Sequence, residues 1–343
     1  MDTAKLFPQH NTMLDPSKRR VLSFGEGPGA FSKLQITDTL CPIARGYIQL
    51  NGPDSRKFLQ GQVTCDMQTV TDQQVIRGAH CTPKGRIIFL FSALCDSNDN
   101  ILLETHSSVI PQAIANLKKY AVFFKTEISD LSASLTTFLI SGPSSAKSIA
   151  TLSHQPLPQP GMQVEEADIR LRCIAENHYS VTCKSEDSAR VIAEHPGLTL
   201  CGEAYADLIT LRSGFADVTE DTLDKFIPQM LNLDRQAFIS FQKGCYTGQE
   251  IIARAHYRGA VKRRLRHIQC PLDELPKPGE TLADCNGKGI GSVASAAWSS
   301  PRQAELLVVI SDGVESLNGL QINAQTGIDA ETLVLPYPPL AQK

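Results

Sequence analysis

The stretch KGCYTGQE, residues 243–250, sets one cysteine in a glycine-bracketed turn directly before an amphipathic pattern. Thr247-Gly248-Gln249-Glu250 has the form of a capping box, in which the threonine hydroxyl accepts from the Glu250 amide while the glutamate reaches back. The spacing predicts a helix from 248 to about 258. Ile251, Ile252 and Ala255 make its apolar face, Glu250 stands four before Arg254, and Gly259 supplies a stop. Cys245 then lies just ahead of a helix N-terminus. There the positive end of the helix dipole favours a thiolate, as does the Lys243 ammonium if it folds back, and with it nucleophilic or metal-binding behaviour. Gly244 and Gly248 let the backbone pass close to a ligand. The plain alternative is a tight turn with a tucked-in cysteine; position, glycine flanks and cations together favour a functional thiol.

The chain has 343 residues, 42% of them hydrophobic, which suits two or three domains with real cores. No run approaches the roughly 18 apolar residues that span a bilayer. MDTAKLFPQHNTMLD lacks the pattern of a secretory or transit segment, so a cytoplasmic monomer with no membrane association is expected. The ten cysteines are widely and irregularly spaced with no CxxC, so the nine besides Cys245 read as reduced packing residues, with no stable intrinsic metal. Net charge is only −3, but between 243 and 267 seven cations face Glu250 alone.

Residues 1–34 read as an arm. Residues 35–135 alternate strand-like runs (GYIQL, RIIFLFSAL, NILLET) with helical patterns, a first α+β lobe, and 136–205 form a second. An internal echo, LNGPDSRK at 50–57 and ISGPSSAK at 140–147, puts the same Gly-Pro turn between a strand and a helix in each lobe; common ancestry and convergent turn chemistry both account for it. Residues 206–260 connect and carry the signature, expected to pack with the first lobe. From 261 to 343 short strands with Gly and Pro punctuation give the rhythm of a small β-barrel.

FIPQMLNLD, SFQKGCYTGQEIIARAHYRGAVKRRL and, far upstream, DSRKFLQGQVTCDM followed by AHCTPKGRI resemble the YgfZ family, folate-binding relatives of the glycine-cleavage T protein; KGCYTGQE is the specific marker among them. The resemblance implies a T-protein-like α+β fold: two ferredoxin-like lobes and a C-terminal β-barrel around a central channel that holds tetrahydrofolate or a derivative. It implies support of iron-sulfur enzymes or their assembly proteins, notably enzymes that thiomethylate tRNA. The family's motif cysteine maps onto Cys245. Lys243, Gly244, Tyr246, Thr247, Gly248, Gln249 and Glu250 map onto its other motif residues, and Arg254, Tyr257 and Arg258 follow as further folate-site candidates. Where T-protein relatives carry a pterin-contacting Glu before SGF, this chain has Arg212, and its single Trp298 falls in the barrel segment.

The competing reading is a tetrahydrofolate-dependent one-carbon transferase, which needs a carboxylate near the folate; Asp54, Asp66 and Glu104 are the candidates in the first lobe. A third is direct tRNA binding through Lys262, Arg263, Arg264 and Arg266, of which 262, 264 and 266 share one strand face. Aromatic interleaving apart from Tyr257 is missing there, and a folate polyglutamate tail suits the same stripe. Cys245 and His256 share an ion only if the chain folds back, as no other ligand cluster is visible.

Overall fold

The echoed Gly-Pro turn is the same geometry twice. Gly52 and Gly142 hold φ of +135° and +136°, and the amides of Ser55 and Ser145 each reach back 3.1 Å to the carbonyl of that glycine. A Cβ on Gly52 would stand 2.4 Å from the Lys125 carbonyl oxygen, and one on Gly142 2.5 Å from Asp38 Oδ1, so no larger residue serves. Strand Arg45–Asn51 thus hands over to helix Ser55–Gln60, and strand Leu135–Ser141 to helix Ser145–Ile149. The computed structural model describes residues 12–14, 20–96, 99–150, 152, 155–166, 168–195, 197–257, 259 and 261–338.

The chain divides into two compact units. The first comprises Met1–Arg56, Gln68–Ile76 and Ser92–Ala206. Its six-stranded sheet runs Gln163–Glu166, Ile169–Ala175, His178–Lys184, Leu135–Ser141, Thr39–Ile43 and Thr199–Leu200 in spatial order, antiparallel except for the last pair. Phe138, Ile140, Leu171 and Val181 are buried in its core. In the same unit, Arg45–Asn51 lies between Ile101–His106 and Glu127–Asp130, antiparallel to both. Helix Ile110–Ala121 buries Ile110, Ala113 and Leu117, positions three and four apart that share one face. A polar seam runs through the unit's interior. Glu104 Oε1 takes Arg45 Nε at 3.1 Å and Arg172 Nη2 at 2.9 Å. The Tyr47 hydroxyl meets Thr137 and Thr182.

The second unit comprises Lys57–Met67, Arg77–Phe91 and Asp207–Lys343. It contains a curled seven-stranded antiparallel sheet, ordered Gln325–Ile328, Leu320–Ile322, Thr281–Ala283, Gly289–Ser300, Gln303–Ser311, Arg263–Pro271 and Glu331–Leu333. Ala304 through Ile310 are all buried, so strand Gln303–Ser311 has no solvent face along that stretch. Leu306, Val308 and Ile310 fill the core with Ile268, Leu282 and Ile322, and Trp298 packs against it part-buried. This curled half-barrel stands where the expected α+β fold places its C-terminal β-barrel. Among the described residues no helix is long and apolar enough to cross a membrane.

Candidate functional site

Three stretches that are far apart in sequence meet at KGCYTGQE, all within the second unit. The loop after helix Ser55–Gln60 presents bare carbonyls, and Lys243 reaches two of them: its Nζ donates to Val63 O at 2.8 Å and Cys65 O at 2.7 Å. It also lies 5.2 Å from the centroid of the Tyr246 ring. Thr64 ties the same loop down, its hydroxyl donating to Phe238 O (2.6 Å) and accepting from the Ala79 amide (2.9 Å), while the Ser240 amide donates to Thr64 O (2.9 Å). The Thr247 amide donates to Gly61 O (3.2 Å). Gly248, at φ +84°, backs onto the Thr82–Arg86 turn, where a Cβ would stand 2.6 Å from Thr82 O. Helix Gln249–Tyr257 follows, with Ile252 buried and its carbonyl taken by Gln229 Nε2 of FIPQ at 2.7 Å.

Within this scaffold the signature alternates. Lys243 and Tyr246 are buried, whereas Gly244 and Cys245 are exposed, and a Cβ built on Gly244 meets nothing within 4 Å. Of the ten cysteines only Cys245 and Cys285 are exposed, so eight of the nine expected packing residues are buried and Cys285 is not.

The expected Lys243-to-Cys245 assistance is not what forms, because the Lys243 ammonium is committed to carbonyls 63 and 65. Burial holds Lys243 down to about 8, with Cys65 and Asp66 opposing. Burial also pushes the Cys65 thiol up to about 12, against the pull of Lys243. The Tyr246 hydroxyl is likewise raised, by burial and by Cys81. His80, on the strand beside the loop, is held down to about 4 by burial, with its Nδ1 3.0 Å from Gln62 O. The Thr247 hydroxyl is directed at Gln62 Oε1 (3.3 Å) and makes no capping bond to the Glu250 amide.

Gln249 and Glu250 open the helix, and Arg254 and Tyr257 are exposed farther along it. Arg258 lies outside the described residues. Asp66 is the one candidate acid the structure brings beside the motif: Gln60 Nε2 donates to its Oδ1 at 2.9 Å, and its charge acts on Lys243. Asp54 belongs to the first unit, where it accepts from the Lys125 amide (2.8 Å). Glu104 is also in that unit. Burial alone would raise its carboxyl, but Arg172 and Arg45 outweigh burial and hold it low.

Arg212 is not free for a pterin, since it grips Glu305 through Nε (3.1 Å to each oxygen) and Nη2 (2.6 Å). Two members of the basic stripe are also spent. Arg264 binds Asp234 (2.8 and 3.0 Å) and Gln229 O, and Arg266 binds Val314 O and Asp312 O. Lys262 and Arg263 remain exposed. No group of three metal-ligating side chains occurs among the described residues.

Three residues escaped sequence reasoning. Gln62 and Thr64 sit in QGQVTCDM, where polar residues in an otherwise apolar run were the available signal. Phe241 stacks on His256, and nothing local announces that pairing.

A folate fits this site only in part: the Gly244–Cys245 backbone, Gln249 and Arg254 can meet a ligand, whereas Lys243 and Arg212 already have internal partners.

The profile of the GCVT N-terminal domain family matches residues 44–243. A protein from Escherichia coli O157:H7 named tRNA-modifying protein YgfZ is 33% identical over 304 residues, covering 84% of this chain and 89% of that one. A protein of the same name from Colwellia psychrerythraea is 32% identical over 234 residues, covering 67% and 70%. The crystal structure of glycine cleavage system aminomethyltransferase T from Bartonella henselae superposes with a TM-score of 0.77 at 14% identity, over 97% of this chain and 96% of that one, and shares the fold.

Proposed function

From a chain that belongs to the YgfZ family of tRNA-modifying proteins, we propose a factor that binds a reduced folate and supports iron-sulfur enzymes, among them those that modify tRNA, with Cys245 as its working thiol. The observation that carries this reading is the presentation of Cys245. It stands exposed at the tip of a turn whose flanking residues, Lys243 and Tyr246, are buried and joined to each other. A sulfur held there is open to a protein-sized partner and is a suitable ligand for an iron of that partner's cluster. A reduced folate would bind beside this turn. Gly244 would let it approach the backbone, and Gln249 and Arg254 would supply polar contacts.

Asp66 supports a second reading, tetrahydrofolate-dependent aminomethyl transfer, because it is the one carboxylate of the three candidates beside the signature. A deletion strain restored with single variants separates the two. Cys245→Ser should abolish rescue of tRNA thiomethylation with melting temperature unchanged, and Asp66→Asn should rescue. The reverse pattern, with aminomethyl transfer by the purified wild type, would establish the transferase and remove the thiol reading. Folate binding is tested separately by calorimetry with mono- and polyglutamylated tetrahydrofolate, where no heat and no competition would take folate out of the account.

A further inference from the structure

The end of helix Gln249–Tyr257 carries an aromatic cluster that neither the folate nor the thiol uses. Phe241 and His256 stack with centroids 3.8 Å apart and planes 20° off parallel. Tyr257 stands edge-on to both, 4.8 Å from His256 at 86° and 6.1 Å from Phe241 at 73°. Tyr257 is 62% exposed. Leaving so large a ring in water forgoes roughly 1 kcal/mol or more of burial, so its stabilisation of the fold is small.

Cations outnumber acids along this part of the chain, although exposed Glu250 stands one turn before Arg254 and the Asp312 amide donates to Lys262 O. Arg254 is one turn before Tyr257 and on the same side of the helix. Lys262 and Arg263 follow at the start of strand Arg263–Pro271. All three are exposed, and no ion pair is made by any of them among the described residues, in contrast with Arg264 and its Asp234. Glu250 is the only acid between 243 and 267.

We infer that Phe241, His256 and Tyr257, with Arg254, Lys262 and Arg263, form a binding site for an unpaired stretch of RNA, one base stacking on Tyr257 and the phosphates meeting the three cations. The pairing of ring faces with cations that form no ion pair is the chemistry of a single-strand site. A polyanion without rings, such as a polyglutamate, would need the cations and leave Tyr257 without a role. RNA is favoured over DNA because its loops expose unstacked bases in the ordinary state. This goes beyond the folate and thiol reading, with which it shares Arg254 alone; the Tyr257 variants and the crosslinks test it apart from that reading.

The test is fluorescence anisotropy of the full chain with labelled 12-mers of oligoadenylate and oligouridylate. Stacking is worth ~1–3 kcal/mol per base, so Tyr257→Ala should weaken binding about 5- to 150-fold. Tyr257→Phe, which keeps the ring, should bind as the wild type does. Replacing Arg254, Lys262 and Arg263 together by Gln should weaken binding and flatten its salt dependence by about 0.7 in log–log slope for each phosphate that is no longer neutralised. Crosslinks from a 4-thiouridine-bearing 12-mer to the wild type should map to 241 or 254–263, a readout that survives any folding defect in a variant. Absence of saturable binding, full affinity in Tyr257→Ala, equal competition by polyglutamate, tighter binding of a deoxy 12-mer, or crosslinks elsewhere would each overturn the assignment.

Discussion

Lys243→Met should erase a pH dependence that the wild type carries. In the native protein the ammonium is held down to about 8, chiefly by burial, against 10.5 for the free side chain. Between these values the unfolded chain binds more protons than the folded one, so the contribution of Lys243 to stability rises with pH across that window and is lost as pH falls through about 8. Integrated from pH ~7 to ~9.5, the full displacement gives about 2 kcal/mol, and partial solvent access to the ammonium reduces this to ~1 kcal/mol. Buried thiols titrate on unfolding in the same window and lower stability, so the wild type alone is uninformative. They cancel in the difference between the two proteins, because Cys65 is pushed up to about 12 and stays protonated in the folded state of either. The variant also leaves Val63 O and Cys65 O without their donor, which adds a penalty of ~1–3 kcal/mol that does not vary with pH. Urea unfolding of both proteins at the two pH values measures the difference directly. A stability gap that stays flat, or that narrows with rising pH, would refute a desolvated Lys243 and point to an ion-paired one.

Brief iodoacetamide treatment of the native protein, read by mass spectrometry, should label Cys245 and Cys285 and spare the eight buried thiols; early labelling of Cys65 or Cys81 would contradict the packing of the 60–67 loop. Gly248→Ala puts a Cβ 2.6 Å from Thr82 O at φ +84°, and should cost ~2–3 kcal/mol in urea unfolding from left-handed strain plus displacement of the turn, with a loss below ~0.5 kcal/mol counting against the geometry. Glu305 is raised by burial, but His267 and Arg212 outweigh this and hold it down to about 2, against 4.5 for the free carboxyl. The stability it contributes is therefore complete above 4.5 and lost as pH falls toward 2, and Glu305→Gln should remove that acid-limb slope; an unchanged acid titration would show that the ion pair is not formed.

What could be read from the sequence was what local pattern determines. The helix after the signature was legible because Ile251, Ile252 and Ala255 repeat at helical spacing, and it forms as Gln249–Tyr257. The doubled Gly-Pro turn was legible because only glycine takes the φ that Gly52 and Gly142 adopt. What could not be read was any choice of partner made across the chain. Lys243 finds carbonyls 180 and 178 positions away, and the helix begins only at Gln249, one residue too late for Thr247 to cap it as the four-residue pattern suggests, so the Thr247 hydroxyl donates to Gln62. The basic stripe looked uniform because charge counts do not distinguish Arg264 and Arg266, which the fold consumes, from Lys262 and Arg263, which it leaves in water. Cys285 failed the packing expectation because it sits in the turn that follows strand Thr281–Ala283.

The division of labour inside KGCYTGQE bears on which chemistry suits Cys245. Lys243 and Tyr246 hold the turn from beneath, one through two carbonyls and the other through its ring against the ammonium. Thr247 and Gly248 fix its far end on the 61–62 and 82–85 segments. The tip is left as Gly244 and Cys245, exposed to solvent. Transfer of a one-carbon unit to or from a small molecule gains from a site that excludes water, where charges act at low dielectric and intermediates are protected from hydrolysis. Within this turn Cys245 has no such enclosure. A thiol on an exposed tip instead suits a reaction partner that brings its own enclosing surface, as a protein carrying an iron-sulfur cluster does. That asymmetry between a buried lysine and a presented cysteine is the physical ground of the assembly reading, whereas the transferase reading rests on Asp66.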